Sequence, residues 1–316
     1  MTWDNRGVPE LPEVEALGRF LDQRIAGRDV ERCELAAIAA LKTFDPPLTA
    51  LVGRTALGCN RRGKYLCFDL DGLWLVLHLA RGGWVRWRDA LPAERARPGR
   101  GPLALRMGFG PTVAELAAGE GQRDRSRDGA SRPGTPGFDV TEMGTEKRLA
   151  LWVVEHPDQV EGVATLGVEP LDPAFDLDRL GALLGASPGT IKTVLASQSV
   201  IAGIGNAYSD EILHAARLSP FKPARNLDAD EVARLHAAMV EILGAAMARA
   251  VGQGAAELKG DKKRSMRVHG RTGEPCPACG DVVREVSFAT KSLQYCATCQ
   301  TGGKPLADRR LSRLLK

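Results

Sequence analysis

The sequence is poor in aromatic residues and contains no long apolar run. Aromatic side chains make up 5% of the 316 residues. The longest apolar stretch, residues 35–41, is far shorter than the ~20 residues that a membrane-spanning helix needs, and the first eight residues lack the apolar core of a secretory signal peptide. Ordinary glycine and proline contents exclude a collagen-like or wholly disordered chain. These absences predict a soluble, cytoplasmic protein of about two domains with no membrane contact.

The net charge of +4 is unevenly distributed along the chain. Residues 258–316 contain 13 Lys and Arg against 5 Asp and Glu, so the rest of the chain carries a net charge of −4. Each phosphate that a basic side chain neutralises releases condensed counterions, which favours binding of a basic region to nucleic acid. A merely solvated basic surface is the alternative that charge alone leaves open.

The first half of the chain is predicted to be mostly β, after one helix. Apolar residues at helical spacing from Val14 to Ile25 predict a short amphipathic helix that ends at Gly27. Asp71-Gly72 separates two apolar runs, which is typical of a type I′ hairpin. Residues 119–137 contain no large apolar side chain and are rich in Gly, Arg, Ser and Pro. We therefore predict a flexible insertion there.

The second half shows helical periodicity from about residue 176 onward. Short apolar patterns predict helices near residues 180–184, 191–195 and 207–216. A longer pattern predicts a helix that opens at Asp228 or Asp230 as its N-cap. The Gly-containing segment 198–206 joins two of these helices, and Asn206 precedes the second, where free N–H groups can hold a phosphate. An ordinary helix–helix connection is the alternative interpretation.

Four cysteines near the C-terminus form the strongest local pattern. Two C-x2-C pairs separated by sixteen residues are typical of a structural zinc site, because each pair binds from one tight turn and two pairs complete a tetrahedron. The apolar residues between the pairs favour a β-hairpin, and hence a zinc ribbon that needs its ion to fold. Two disulfides are the alternative, which a reducing compartment disfavours. The ligands of the one predicted Zn²⁺ ion are Cys276, Cys279, Cys296 and Cys299.

Four segments occur in one order, and the sequence resembles the formamidopyrimidine-DNA glycosylase/endonuclease VIII family. They are Pro9-Glu10-Leu11-Pro12-Glu13-Val14-Glu15, Arg61-Arg62-Gly63-Lys64-Tyr65-Leu66, Gln198–Asn206 and the four cysteines. The resemblance implies an α+β fold, with an N-terminal β-sandwich and one helix (residues 9–160). A helix–two-turn–helix domain (residues 170–257) and a basic zinc-ribbon hairpin domain (residues 258–316) would follow. It also implies a monomer that binds damaged, double-stranded DNA and flips the damaged nucleotide out of the stack.

The resemblance further implies a bifunctional DNA glycosylase and abasic-site lyase of base-excision repair. The amine of an N-terminal proline would attack C1′ of the damaged nucleotide, and β,δ-elimination would nick the strand. The implied catalytic residues are Pro9 as nucleophile, Glu10 as acid–base group at the sugar, Glu13 as supporting carboxylate, and Lys64. The implied DNA contacts are His78, Arg81, Asn206 and Lys291, with Lys64 also holding a phosphate.

The sequence departs from the family pattern at its most important position. Eight residues precede Pro9, so its nitrogen is a tertiary amide and not a nucleophilic amine. Val8 offers an explanation, because a valine codon can serve as a start and a Met-Pro terminus is trimmed; processing is another. A blocked terminus would leave a catalytically silent protein that binds damaged DNA. Hydrolysis by water that Glu10 activates, with base release and no nick, is a third possibility.

Three further departures concern contacts with DNA. Arg81 occupies the position of a methionine that fills the space left by the flipped base. The family's Arg-Phe loop is not recognisable near residues 142–148, where Lys147 and Arg148 are candidates. Lys291 replaces a phosphate-binding arginine, which keeps the charge and loses the bidentate fork. These changes predict a divergent branch of the family and leave its reading of the opposite base and its lesion preference open.

Overall fold

The computed structural model describes residues 8–99, 101–112, 115, 134–288 and 292–307. Within these ranges the chain divides into two compact units. Among the described residues, the helical unit comprises those within 8–12, 165–250 and 259–307, and the sandwich unit comprises those within 13–164 and 251–258. In the described residues, no helix combines the length and apolarity that crossing a membrane would require.

The sandwich unit contains two antiparallel sheets, each of four strands among the described residues. Helix α1 (Leu11–Ile25) precedes the strands and buries Leu17, Leu21 and Ile25. The strands are β1 (Val30–Leu35), β2 (Gly58–Arg62), β3 (Tyr65–Asp69), β4 (Trp74–His78), β5 (Gly83–Arg88), β6 (Leu103–Phe109), β7 (Gly137–Glu142) and β8 (Ala150–Val154), and a short helix α2 (Glu161–Ala164) follows. The first sheet has the order β1-β6-β7-β5 and the second the order β2-β3-β4-β8.

Aromatic packing and turn chemistry explain the arrangement of these strands. Phe68 of β3 stacks on Phe138 of β7 with ring centroids 5.4 Å apart, which joins the two sheets through a dry core. Asp71 and Gly72 have φ values of 48° and 85°, as a type I′ turn requires, and β3 pairs with β4 from Asp69–Trp74 onward. The α+β expectation, the N-terminal helix and this hairpin are therefore confirmed.

The predicted insertion is placed only in part. Residues 119–133 lie outside the described residues. The last four predicted residues belong to ordered structure: the Leu91 N–H donates to the Thr135 carbonyl at 2.8 Å, and β7 begins at Gly137. Thr135 is buried. Pairing with β6 and the buried threonine give residues 134–137 contacts that local composition does not show, and the flexibility of the insertion stays a prediction.

The helical unit is built on buried, mostly amphipathic helices. They are α3 (Leu177–Ala186), α4 (Ile191–Ala196), α5 (Asn206–Ala215), α6 (Ala229–Ala250) and α7 (Leu258–Ser265), followed by β9 (Val283–Ser287), β10 (Ser292–Cys296) and α8 (Ala297–Thr301). Strands β9 and β10 form the antiparallel ribbon. The Asp228 carboxylate caps α6 by accepting from the Glu231 N–H at 2.8 Å. The ribbon shares one compact unit with the helices, and the three-domain division at residues 160, 170 and 257 stays a prediction.

The connection between α4 and α5 is fixed by one side chain and one glycine. The Gln198 amide donates to the Ile204 carbonyl at 2.6 Å, and its oxygen accepts from the Gly203 N–H at 3.0 Å. Gly203 has a φ of +83°, and a Cβ there would lie 2.8 Å from Leu11 Cβ. Only glycine meets both constraints without strain. The Leu11 N–H donates to the Gly203 carbonyl at 3.0 Å, which docks the N-terminal segment on this turn.

Candidate active site and metal centre

The four predicted metal ligands converge at the ribbon. The sulfur atoms of Cys276, Cys279, Cys296 and Cys299 all lie within 4.8 Å of one another. The Cys276–Cys299 and Cys279–Cys296 Sγ distances are 3.9 and 3.4 Å. A tetrahedral zinc ion with Zn–S bonds of ~2.3 Å has S···S edges of roughly 3.8 Å, so the cluster fits zinc. The cysteines are free thiols, which excludes the disulfide alternative. The zinc-binding cluster predicted from spacing is confirmed.

Burial makes the thiols of Cys296 and Cys299 hard to ionise without a cation. It raises the pKa of Cys296 to about 11 and that of Cys299 further, whereas a backbone N–H from Asp281 lowers the pKa of Cys279. Zinc binding must therefore release protons. His214 of α5 places Nε2 3.2 Å from Cys276 Sγ. Burial lowers the pKa of His214, so a neutral imidazole faces that ligand.

Glu10 is held at the N-terminus of α5. Its carboxylate accepts from the N–H groups of Gly205 at 2.6 Å, Ala207 at 2.9 Å and Tyr208 at 3.3 Å. The residue is 2% exposed, and Pro9 beside it is also buried. Unpaired N–H groups and the helix dipole favour a negative charge at this position. The arrangement thus fixes the carboxyl group of Glu10 next to Pro9.

A lysine that the sequence pattern did not single out completes this cluster. Lys262 of α7 donates from Nζ to the Val8 carbonyl at 2.7 Å, and Nζ lies 3.8 Å from Glu10 Oε1. The same ammonium lies 4.7 Å from the Tyr208 ring centroid, within cation–π range. Its side chain is 1% exposed. In the sequence, Lys262 was one cation in a basic run, and no local signal distinguishes it from its exposed neighbours.

Asn206 begins α5 but its amide already has a partner. Its Nδ2 donates to the Ser292 carbonyl of β10 at 2.8 Å. Lys192 of α4, which the sequence did not single out, reaches the Asn206 carbonyl at 3.2 Å and pairs with Asp210 at 2.6 Å. Asn206 therefore links α5 to the ribbon, and its phosphate contact stays a prediction.

The other predicted residues lie in the sandwich unit. Glu13 is buried in α1, and Lys64 stands at the turn between β2 and β3 next to Gly63, whose φ is 55°. His78 ends β4, and its ring centroid lies 4.7 Å from that of Tyr65. Burial, with a smaller contribution from the Lys64 charge, lowers the pKa of His78 to about 4. A phosphate contact of His78 would accordingly be a neutral hydrogen bond at physiological pH.

Two loops of the sandwich unit lie side by side and carry candidate DNA contacts. Arg81 is exposed in the β4–β5 loop, where the Met143 N–H donates to the Gly82 carbonyl at 3.0 Å. In the β7–β8 loop the Glu142 carboxylate accepts from the N–H groups of Arg148 and Leu149 at 2.6 and 2.9 Å. Met143 of this loop is 58% exposed beside Gly82. Lys291 lies outside the described residues.

Three protein-family models match successive parts of the chain. "Formamidopyrimidine-DNA glycosylase N-terminal domain" matches residues 8–114, and "Formamidopyrimidine-DNA glycosylase H2TH domain" matches residues 166–257. "Zinc finger found in FPG and IleRS" matches residues 273–302. The order and extent of these matches agree with the sandwich, the helix–two-turn–helix and the four-cysteine ribbon.

Individual relatives and structures agree with these matches. The chain is 62% identical over 151 residues to an "Uncharacterized formamidopyrimidine-DNA glycosylase-like protein" of Mycobacterium tuberculosis, covering 48% of this chain and 94% of that protein. It is 35% identical to a "Formamidopyrimidine-DNA glycosylase" of Moorella thermoacetica, covering 88% and 94%. A structure of Lactococcus lactis Fpg in complex with abasic-site DNA matches with a TM-score of 0.75 at 28% identity, covering 92% and 99% of the chains.

Proposed function

The chain belongs to the formamidopyrimidine-DNA glycosylase family, and we propose that it excises oxidised bases from double-stranded DNA and then nicks the strand. The observation that carries this proposal is the placement of Glu10. Three N–H groups at the start of α5 hold its carboxylate directly beside Pro9. A fixed negative charge next to a potential amine favours chemistry that develops positive charge on that amine.

The proposed reaction uses the Pro9 nitrogen as the nucleophile. Its lone pair attacks C1′ of the damaged nucleotide, and the electron pair of the glycosidic bond leaves with the base. The C1′–O4′ bond of the sugar then breaks, the N–H proton of Pro9 passes to O4′, and the nitrogen lone pair forms a positive iminium with C1′, which the Glu10 carboxylate stabilises. Loss of a C2′ proton then expels the 3′ phosphate, and a second elimination expels the 5′ phosphate. An α-amino group of pKa ~8 is better suited to this role than a lysine of pKa ~10.4.

This chemistry requires a free amine at Pro9. The peptide bond to Val8 delocalises the nitrogen lone pair into the carbonyl, so the acylated nitrogen cannot attack C1′. We propose that the working chain begins at Pro9, either through a start at Val8 followed by removal of the initiator methionine or through processing. The family match starts at residue 8, in agreement with this boundary.

DNA binding is proposed to involve the zinc ribbon and the basic region around it. Relatives of known structure carry damaged DNA, including an abasic-site duplex and a Fapy-dG duplex. In this chain the four thiolates would hold Zn²⁺ as a structural ion, which keeps β9, β10 and α8 together and supplies no step of the reaction. The Asn206–Ser292 hydrogen bond would then hold the start of α5 against strand β10 of the folded ribbon.

Trapping of the iminium tests the proposal. Protein that begins at Pro9 and protein that retains residues 1–8 are each incubated with an abasic duplex and sodium borohydride. We expect a covalent protein–DNA band only with the free proline, and no band with Glu10→Gln, while binding to a duplex with an uncleavable tetrahydrofuran site persists. A band of equal strength from the chain that retains Met1 would refute the role of Pro9.

One observation favours a second candidate, a damage-binding protein without lyase activity. The acylated Pro9 is buried, and the Val8 carbonyl that acylates it accepts a hydrogen bond from Lys262 at 2.7 Å. If the cellular protein retains these residues and binds the tetrahydrofuran duplex without forming a borohydride adduct, the binding function is the correct one. Intact-mass measurement of natively expressed protein decides which terminus exists.

A further inference from the structure

Lys262 is a charged side chain buried in the cluster around the Pro9 nitrogen. Its ammonium donates to the carbonyl of Val8, the group that acylates Pro9, at 2.7 Å. It also lies 3.8 Å from the Glu10 carboxylate and faces the Tyr208 ring. A lysine that is 1% exposed loses most of its hydration, so its position needs specific partners to be stable. These partners all belong to the segment that carries the proposed nucleophile and to the helix that holds Glu10.

We propose that Lys262 is a positioning residue that keeps the released amine of Pro9 in its unprotonated, nucleophilic form at neutral pH. This inference rests on the proposed function, since it concerns the amine that the reaction uses. The lysine would not itself attack the sugar. It would act through its charge on Pro9 and through its contact with Glu10.

The distance follows from peptide geometry. The oxygen and nitrogen of one peptide group are roughly 2.3 Å apart. In the chain that retains Val8, Lys262 Nζ lies 2.7 Å from the Val8 oxygen, so the ammonium is no farther than about 5 Å from the Pro9 nitrogen. Release of Pro9 removes the Val8 carbonyl, but the contacts of Lys262 with Glu10 at 3.8 Å and with the Tyr208 ring at 4.7 Å do not involve Val8 and would keep the ammonium near the freed amine. Two positive charges at that separation repel strongly in a site shielded from water. Protonation of Pro9 beside Lys262 is therefore disfavoured.

The Glu10 carboxylate, if it were the only charge near Pro9, would favour protonation of the Pro9 amine. An unneutralised Glu10 carboxylate would favour a protonated Pro9 amine and so reduce its reactivity. Three amide groups of α5 and the Lys262 ammonium share that negative charge. The carboxylate thus remains available to stabilise an iminium, while its preference for a simple ammonium is weakened.

The other acids of α5 are engaged by different partners. Asp210 pairs with Lys192 at 2.6 Å and with His269 Nδ1 at 2.7 Å. Glu211 accepts from the N–H groups of residues 267–269 at 2.8–2.9 Å. Their charges are balanced within the packing of α5 against α4 and the segment after α7. Lys262, in contrast, contacts the Pro9–Glu10 segment through Val8 and Glu10.

The effect is visible in the pH dependence of adduct formation. An ordinary α-amino group with a pKa of ~8 is about one-tenth unprotonated at pH 7. Lowering that value by about one unit makes roughly half of it unprotonated, and the gain approaches tenfold at pH 6. Removal of the Lys262 charge should then slow the reaction below pH 7 and leave the rate above pH 9 nearly unchanged.

The experiment measures adduct formation against pH with protein that begins at Pro9. Sodium cyanoborohydride, which reduces iminium ions in mildly acidic as well as neutral solution, traps the iminium on an abasic duplex. Lys262→Met should raise the midpoint of the rate profile by about one pH unit. Lys262→Arg, which keeps the charge, and Lys263→Met, which removes an exposed charge from the same helix, should retain the wild-type midpoint. An unchanged midpoint in Lys262→Met, or an equal rate loss at every pH, would overturn the inference.

A second measurement, on wild-type protein, tests the inference if Lys262→Met does not fold. Reductive methylation of the N-terminal amine at a series of pH values, followed by mass spectrometry of the N-terminal peptide, gives the pH at which half of the amine is protonated. A midpoint clearly below ~8 supports the inference, and a midpoint at or above it overturns it. If wild-type protein forms no DNA adduct at any pH, the proposed function is wrong. The titration of the N-terminal amine still tests whether the amine stays unprotonated, as the proposal for Lys262 requires.

Discussion

Lowering the pH from 7 to 5 should destabilise the sandwich unit through His78. Burial, with the nearby Lys64 charge, lowers the pKa of His78 from 6.5 to about 4 in the folded protein. In the unfolded chain the imidazole titrates at about 6.5. The unfolded state therefore binds a proton that the folded state excludes. Stability that is present above pH 6.5 is lost as the pH falls toward 4.

The two pKa values set the size of the effect. Proton linkage gives a loss of about 0.2 kcal/mol at pH 7, about 2 kcal/mol at pH 5 and about 3 kcal/mol at pH 4. These are upper limits, because the His78 side chain keeps some contact with water. A loss of about 2 kcal/mol is large beside the ~5–15 kcal/mol that stabilises a typical domain.

Tryptophan fluorescence isolates this effect. Among the described residues every tryptophan belongs to the sandwich unit, namely Trp74, Trp84, Trp87 and Trp152. Urea unfolding is measured at pH 7 and pH 5 for wild-type protein and for His78→Asn. Other titrating groups are shared by the two proteins and cancel in the comparison. The wild type should lose up to about 2 kcal/mol more than the variant between the two pH values.

An equal loss in both proteins would refute this reasoning. It would mean that the folded protein binds the proton on His78 as readily as the unfolded chain does. His78 would then become an imidazolium below pH 6.5, able to form an ion pair with a DNA phosphate. The stability measurement therefore also decides the kind of phosphate contact that His78 can make.

Three further outcomes are expected from the helical unit. Gly203→Ala should cost on the order of 1–3 kcal/mol in thermal unfolding, because its methyl group would meet Leu11 at a positive φ; an unchanged melting temperature would contradict this. His214→Phe removes the contact with Cys276 and should speed zinc transfer to a chelator by about tenfold, whereas an equal rate would argue against a supporting role. Burial raises the pKa of Cys296 to about 11, so this thiol must lose a proton when it binds zinc. Zinc affinity, measured by competition titration, should therefore fall at least about tenfold from pH 7.5 to 6.5. A pH-independent affinity would refute proton release.

Sequence patterns correctly predicted the features that depend on residues close together in the chain. The spacing of the four cysteines predicted their convergence, because two tight turns joined by one hairpin leave few other arrangements. Asp71-Gly72 predicted its hairpin, since only residues that tolerate positive φ form that turn. The resemblance in residues 9–15 placed Glu10 at the site, but the sequence did not show which groups bind its carboxylate.

Contacts between distant segments were decided by tertiary structure. Glu10 and the N–H groups that hold it are 195–198 positions apart, and Lys262 contacts Val8 across 254 positions. No periodicity or spacing in the sequence links such partners. The sequence by itself determined the zinc ligands, the main helices and the family. Only the fold decided which of many cations is buried beside Pro9, because burial and charge partners depend on long-range packing.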